Sequence, residues 1–210
     1  CILGIYPLLM EKVVDLNNFI NINSINGTTG AGVKPKKDLM FTEMLNNMLP
    51  YNLEGHRHGP ELESQLSNIS SKNTKVVFNT AHGPYPRGIF STISLGLNPK
   101  YNSGISREEL IKIYHKYYGI GSDGEFFVRI VDYLKHGSKN EKLYHIYPQL
   151  RNVIGTNFCN IGLDYDDDRK IIKVISITDN LIKGAAGSAI QNMNVLYGFS
   201  ENDGLTQLAL

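Results

Sequence analysis

Two alternating segments near the C-terminal end constrain the fold most. The segments NFCNIGLDYD (157–166) and RKIIKVISIT (169–178) flank an acidic turn at 166–168. Along the second segment one face would carry Ile171, Lys173, Ile175 and Ile177, and the other Ile172, Val174 and Ser176. Alternation with a period of two is typical of half-buried strands, and two such strands around a short turn form a hairpin. The sequence therefore predicts an antiparallel sheet.

Other segments supply further strands and two well-marked helices. Strand-like patterns occupy 18–25, 75–80, 88–97 and 125–131. One helix begins at Pro60, and a second begins at Ser106, which forms a capping box with Glu109 and would bury Leu110, Ile113 and Tyr117. We expect an α+β fold, with a mixed, mostly antiparallel sheet and helices on one face. The chain also opens within a helix, CILGIYPLLMEKVVDL, so we expect part of a longer protein.

Composition excludes several functional classes. The 210 residues hold 21 Lys and Arg against 20 Asp and Glu, and no basic run is longer than KPKK. This balance predicts neither a nucleic-acid partner nor an anionic membrane surface, and leaves a small molecule or a protein. No apolar run approaches the roughly 20 residues of a spanning helix. With two cysteines and no secretory signal, we expect a soluble protein of the cytoplasm.

The segment YNLEGHRHGPELESQL (51–66) places two histidines around Arg57, just before the helix at Pro60. Imidazole can donate or accept a proton near neutral pH, so His56 and His58 are candidates for acid–base chemistry. The remaining histidines stand singly, and we expect them to be solvated or bonded locally: His82, His115, His136 and His145. Their spacing predicts no metal site.

The last helix pattern, DNLIKGAAGSAIQNMNVLYG (179–198), is rich in small residues from Gly184 to Ala189. Each glycine costs a helix about 1 kcal/mol relative to alanine. The small residues therefore indicate that something approaches this helix closely. Tight packing against a sheet and a flat cofactor ring are both open explanations.

Five segments together resemble the N-acetyl-γ-glutamyl-phosphate reductases and the related reductases of carrier-bound aminoadipyl phosphate. They are HRHGPELESQL, PRGIFSTI, FFVRI, VIGTNFCNIGL and DNLIKGAAGSAIQNMNVLYGFSENDGL, in the order that the family has them. The resemblance implies reduction of N-acetyl-γ-glutamyl phosphate to its semialdehyde with NADPH, through a cysteine thioester, in arginine biosynthesis. Separately, the exposed face of the predicted sheet, rich in Ile and Thr, predicts a homodimer formed through sheet packing.

The resemblance implies roles for particular residues. His56 matches the general acid/base of the family, and His58 could share or exchange that role. Arg57 and Arg87 are candidates for binding the carboxylate and phosphate of the substrate, because guanidinium forms paired hydrogen bonds with such groups. Cofactor contacts carried over from the family fall on Asn180, Lys183, Gly184 and Gly187.

Two expected parts of such an enzyme are missing from the sequence. The family cysteine lies in a G-C-x-x-T-A segment, and registering the first helix on Pro7 puts Cys1 about five residues past it. Cys159 is expected to be a buried, inert thiol. No strand is followed by G-x-G-x-x-G. We therefore expect residues 1–178 to be a substrate-binding and dimerisation domain, and 179–210 a helix that completes an NADP-binding domain outside these residues.

Three alternatives stay open. The acyl group could be carrier-bound rather than free, as in lysine biosynthesis. The chain could instead resemble aspartate-semialdehyde-type enzymes, although the HRHGPE motif argues against them. It could also be a non-catalytic dimerisation module, and by itself it is expected to be inactive.

Overall fold

A computed structural model describes residues 1–101, 103–119, 125–133 and 144–209. Its strands are β1 (Ile20–Asn26), β2 (Leu49–Tyr51), β3 (Val76–His82), β4 (Ile89–Gly96), β5 (Val128–Val131), β6 (Cys159–Asp166) and β7 (Ile171–Thr178). They form one seven-stranded sheet in the order β2-β3-β1-β4-β7-β6-β5. The β1/β3 and β5/β6 pairs are parallel, and the other four are antiparallel. The predicted mixed, mostly antiparallel sheet is confirmed, including the hairpin of β6 and β7.

The helices are α1 (Ile2–Met10), α2 (Phe41–Met44), α3 (His58–Ser70), α4 (Arg107–Tyr118) and α5 (Gly187–Tyr197). Helix α1 packs between α3 and α4 and against β7, while α3 covers β3 and α4 covers β5 and β6. These three helices therefore lie on one face of the sheet, as predicted.

The main hydrophobic core lies between that face and the three helices. It joins Ile5 and Leu8 of α1 to Ile22, Ile93 and Val174 of the central strands, each at most 1% exposed. The alternation predicted for β1 is confirmed, because Ile20, Ile22 and Ser24 are buried while Asn21 and Asn23 are exposed. Burial of this face fixes the register of each strand, since a one-residue slip would expose every core side chain.

The opposite face of the sheet is only partly covered. A smaller core lies beside β7, where Ile177 packs with Phe127, Val153, Phe158 and Leu205. Leu205 is 2% exposed, so the segment after α5 returns to the sheet. Elsewhere on this face, side chains such as Asn21 and Asn23 meet solvent.

The structure corrects three details of the sequence prediction. Helix α4 buries Tyr114 and Tyr118 with Leu110, whereas Ile113 and Tyr117 are only half-buried. Strand β2 was not predicted. The last helix starts with a π-helical turn, Ile182–Ala186, before α5 begins.

Candidate active site

A cleft of 1070 Å³ opens at one end of the central strands. It lies over the last residues of β1, β3 and β7 and the first residues of β4 and β6. Residues 1–3 and 183–184 border it, so the segments near Cys1 and Lys183 meet there, as expected. They meet at the ends of the central strands rather than beside an edge strand. A cleft of this size can hold a small substrate and part of a cofactor.

Three serines form part of the cleft floor. Ser24, Ser91 and Ser176 lie directly opposite one another on β1, β4 and β7. The hydroxyl oxygens of Ser24 and Ser91 are 2.6 Å apart, and the Cys1 Sγ lies 3.8 Å from that of Ser91. Because serine is small, this row leaves space above the sheet where larger side chains would fill the cleft.

The second cysteine is placed as the sequence indicates. Cys159 is 1% exposed, and its Sγ lies 3.4 Å from the Ser176 hydroxyl. Burial raises the pKa of the Cys159 thiol, although the Ser176 contact and Lys183 act in the opposite direction. A thiol with a raised pKa is protonated at neutral pH and is a poor nucleophile.

His56 stands two residues before the start of α3, at the rim of the cleft. The backbone N–H of His58 donates to its Nδ1 at 3.1 Å, so the neutral ring carries its proton on Nε2. The ring packs edge-on against Tyr51 and Phe78, with centroids 5.7 and 5.3 Å away. Burial lowers the pKa of His56, and the neighbouring His58 and Arg57 lower it further. His56 is therefore neutral at pH 7 and offers an N–H donor.

His58 has a different environment from His56. It is the first residue of α3, and its Nδ1 lies 2.7 Å from a carboxylate oxygen of Glu61. Both side chains are exposed, so the pair is a solvated contact within the first helical turn. The structure thus separates the two histidines by burial and by partner.

The two candidate arginines also differ. Arg57 is exposed at the cleft and has no ion-pair partner among the described residues, which leaves its guanidinium available to an anion. Arg87 is not among the described residues that line the cleft. Its Nη2 lies 2.9 Å from the Asp179 carboxylate, so its proposed contact with substrate remains a prediction.

The Asp179 carboxylate connects three segments next to the candidate cofactor residues: those that contain Arg87, Gly155 and Leu181. It is fully buried, and it accepts hydrogen bonds from the backbone N–H groups of Leu181, Ile182 and Gly155 as well as from Arg87. Burial alone would raise the pKa of Asp179, but these four bonds outweigh it and lower the pKa. An ionised Asp179 therefore fixes the start of the final helical segment.

Of the four candidate cofactor residues, three border the cleft: Asn180, Lys183 and Gly184. The Asn180 carboxamide accepts from the Gly88 N–H at 2.7 Å and donates to the Thr29 hydroxyl at 2.9 Å. It thereby ties the loop that follows β1 to the loop before β4. The Lys183 ammonium lies 2.6 Å from the Gln191 side-chain oxygen, and burial lowers its pKa.

Gly187 is not among the described residues that line the cleft. A Cβ at this position would overlap the side chain of Asn157 and Ile182. Tight packing therefore explains Gly187, whereas Gly184 keeps a small surface at the cleft. Packing thus accounts for Gly187, and a cofactor contact at Gly184 remains a prediction.

His82 is the main residue that the sequence interpretation placed wrongly. It is 8% exposed at the cleft wall, its ring stacks on Tyr51 at 4.4 Å, and its buried Nδ1 has no hydrogen-bond partner among the described residues. Burial lowers its pKa and Lys36 lowers it further, whereas a hydrogen bond with the Gly27 backbone acts in the opposite direction. The signal was present in the sequence, because strand alternation puts His82 on the same side as Phe78 and Thr80, which also line the cleft.

Of the other single histidines, His115 and His145 are not among the described residues that line the cleft. His115 bonds locally to the Gly119 carbonyl and to Asp132, as expected. His136 lies outside the described residues. Within the described ranges, no three His, Cys, Asp or Glu side chains are grouped to hold a metal ion. None of the helices in those ranges combines the length and apolarity needed to cross a bilayer.

Comparison with known proteins gives one family for most of the chain. Residues 1–180 match the model of the semialdehyde dehydrogenase dimerisation domain. The chain is 36% identical over 204 residues to N-acetyl-gamma-glutamyl-phosphate reductase of Listeria monocytogenes, covering 97% of this chain and 54% of that protein. It is 39% identical over 209 residues to the reductase of the same name from Methanocaldococcus jannaschii, covering 100% and 54%. The chain thus spans about half the length of the curated relatives it matches.

Solved structures share the fold at low sequence identity. Aspartate semialdehyde dehydrogenase II from Vibrio cholerae superposes with a TM-score of 0.66 at 14% identity, covering 94% of this chain and 59% of that one. The Candida albicans aspartate semialdehyde dehydrogenase with NADP gives a TM-score of 0.58 at 18% identity, covering 95% and 55%. These similarities confirm the architecture of the sheet and its helices.

Proposed function

Because the chain belongs to the semialdehyde dehydrogenase dimerisation-domain family, we propose that it supplies the substrate-binding half of an NADP-dependent reductase of N-acetyl-γ-glutamyl phosphate. The reaction would convert the acyl phosphate, NADPH and one proton to the semialdehyde, NADP⁺ and inorganic phosphate. Identities of 36% and 39% to N-acetyl-gamma-glutamyl-phosphate reductases support this substrate over aspartyl phosphate, since the aspartate-semialdehyde enzymes are 14% and 18% identical.

The environment of His56 is the observation that carries the proposal. Its neutral ring holds an Nε2–H at the cleft, while Nδ1 is fixed by the backbone of His58. Such a donor can stabilise the oxygen that gains negative charge when the acyl carbon is attacked, and can pass a proton to it. The attacking cysteine would come from the family segment that lies outside these residues. His58 is a weaker candidate because Glu61 already engages it.

Anion binding would fall to Arg57 at the rim of the cleft. Its guanidinium has no carboxylate partner among the described residues, and Lys36 also borders the cleft. A phosphate or carboxylate can pair with such a guanidinium through two parallel hydrogen bonds. Arg87 is already paired with Asp179. It would contact the substrate only by exchanging that partner.

The residues at the start of the final helical segment fit one side of a nicotinamide. Gly184 presents a surface without a side chain, and Lys183 adds a cation beside it. Bound NADPH would supply the hydride. Asn180 would act mainly by holding the loops at Thr29 and Gly88 in place, because both ends of its carboxamide are already hydrogen-bonded.

The remaining assignments concern domains and partners. Residues 1–178 would form the substrate-binding and dimerisation domain, and 179–210 the helix that completes an NADP-binding domain. Helix α5 exposes Val195, Leu196 and Tyr197, which are 62%, 78% and 70% accessible and could pack on such a domain. The partly covered sheet face would form the contact between two subunits of a homodimer.

A chimera tests the proposal. This chain would replace the matching 54% of the Methanocaldococcus jannaschii reductase, and NADPH oxidation would be followed with free N-acetylglutamyl phosphate, carrier-bound aminoadipyl phosphate and aspartyl phosphate. We expect turnover of the first substrate. Preference for another substrate would replace our assignment, and a folded chimera without turnover would favour the non-catalytic dimerisation module.

A further inference from the structure

The wall of the cleft carries two uncharged polar side chains whose hydrogen-bonding capacity is only partly used. His82 lies directly across from Asn26 in the parallel pairing of β3 and β1, and both border the cleft. His82 Nδ1 has no partner, and Asn26 Nδ2 donates to no group among the described residues. A buried polar atom without a partner is unfavourable, so a bound molecule that supplies one gains affinity.

The two side chains are held in place by Tyr51. Its ring stacks on the His82 imidazole at 4.4 Å with an interplanar angle of 16°, and its hydroxyl donates to Asn26 Oδ1 at 3.2 Å. The carboxamide of Asn26 therefore has its oxygen engaged and its NH₂ group available. Tyr51 makes this pair a preorganised group rather than two separate surface side chains.

The chemistry of the pair favours a neutral ligand group. His82 is buried, and Lys36 nearby disfavours its protonation, so the imidazole is uncharged at neutral pH and has one nitrogen lone pair to offer. The free NH₂ group of Asn26 is a donor. The His82 acceptor complements the N–H of a secondary amide, and the Asn26 donor complements an oxygen acceptor that lies next to that N–H in the ligand.

On the basis of the proposed function, we propose that His82 and Asn26 form the subsite that recognises the acylamino group of the substrate. His82 accepts a hydrogen bond from the amide N–H, and Asn26 donates one to a neighbouring oxygen of the same ligand. The subsite distinguishes an N-acylated amino acid from a chain of the same length that lacks the amide, while the charged ends bind elsewhere in the cleft.

Calorimetric titration of the 210-residue chain tests this assignment with two stable ligands. N-acetyl-L-glutamate carries the acylamino group, and glutarate has the same carbon chain and carboxylates without it. In His82→Phe the ring can still stack on Tyr51, but both nitrogens are lost. We expect affinity for N-acetylglutamate to fall about tenfold, as for one lost hydrogen bond, and affinity for glutarate to change less than about twofold.

Two further variants keep the result interpretable. His115→Phe makes the same replacement away from the cleft and should leave both affinities unchanged. His82→Gln retains a hydrogen-bonding side chain and should lose less affinity for N-acetylglutamate than His82→Phe, which also covers the case in which the phenylalanine variant misfolds. Equal losses for both ligands, no loss for either, or no binding of either ligand to the unchanged chain would overturn the assignment.

The same variant separates this inference from the proposed function. In the chimera, His82→Phe should raise the KM for N-acetylglutamyl phosphate and leave kcat within about twofold. Turnover with an unchanged KM would overturn the subsite and leave the reductase function standing. A folded chimera without turnover would contradict the reductase function, whereas ligand selectivity in the isolated chain would still support the subsite.

Discussion

The Tyr118 hydroxyl of α4 donates a hydrogen bond of 2.6 Å to the Leu3 carbonyl of α1. In an uninterrupted helix this carbonyl would accept from the amide of residue 7, but residue 7 is proline and has no N–H. Tyr114, one turn earlier on α4, also donates to α1, at the Gly4 carbonyl. Helix α4 therefore completes the hydrogen bonding of the helix whose first turn borders the cleft.

Replacing Tyr118 with phenylalanine tests this relationship. We expect Tyr118→Phe to lower the free energy of unfolding by about 1–2 kcal/mol, because it leaves a half-buried carbonyl without its donor. Urea denaturation would measure the loss. Tyr6→Phe is the control, since the Tyr6 hydroxyl has no hydrogen bond among the described residues, and it should change stability by less than about 0.5 kcal/mol.

Repeating Tyr118→Phe in a Pro7→Ala background tests whether the Tyr118 hydroxyl replaces the amide that Pro7 lacks. Alanine restores an amide that can bond Leu3, so Tyr118→Phe should cost less there than in the original chain. An equal cost in both backgrounds would show that the hydroxyl does not substitute for the missing amide.

The strands were predictable from sequence because their signal is local. Alternation along 157–166 and 169–178 fixed both the hairpin and the face that each side chain occupies. Strand β2 carried no such signal, since it has three residues and the middle one is Pro50. The register of α4 was also missed, because Tyr114 and Tyr118 are buried to reach α1, and a helical pattern alone does not show where another helix lies.

The candidate site was predictable only where a motif marked it. The HRH segment pointed to His56, yet its difference from His58 depends on Phe78, Tyr51 and Glu61, which contact one histidine or the other. Alternation along β3 could have placed His82 on the cleft side, but its stacking partner Tyr51 lies on the unpredicted β2. Contacts between distant segments, rather than local pattern, thus decide the properties of the site.

Asp179 should be a major determinant of stability. We expect Asp179→Asn to lower the free energy of unfolding by about 3 kcal/mol, because a buried carboxylate with four donors is lost. Arg87→Gln should cost less, since three backbone N–H groups continue to bond Asp179. Paired denaturation curves would compare the two variants, and a larger loss for Arg87→Gln would contradict this order.

Stability should fall on mild acidification. The pKa values of His56 and His82 are lowered in the folded chain from an ordinary value of 6.5. Below that value the unfolded chain binds protons that the folded chain does not, so stability present above it is lost as the pH falls. Melting temperatures between about pH 7 and 5 would measure the effect. The slope should be smaller in His82→Phe, and an unchanged slope would exclude His82 as a contributor.

The isolated chain should be catalytically inert toward acyl phosphates. The part of the chain that the structure describes has no glycine-rich helix start for a pyrophosphate, so we expect NADPH to bind more weakly than about 1 mM. Mixing the purified chain with N-acetylglutamyl phosphate and NADPH would test this, with Cys1→Ser alongside. Turnover that disappears with the Cys1 change would make Cys1 the nucleophile, and turnover that survives it would point to Cys159 or to another chemistry.

The role of His56 is the central claim, and the kcat of the chimera tests it most directly. His56→Asn should lower kcat by about 10²–10⁴, the usual worth of a placed proton donor, with little change in NADPH affinity. His58→Asn, in which only a solvated partner of Glu61 is lost, should cost less. Equal losses, or a larger loss for His58→Asn, would contradict the assignment of His56 as the acid–base residue.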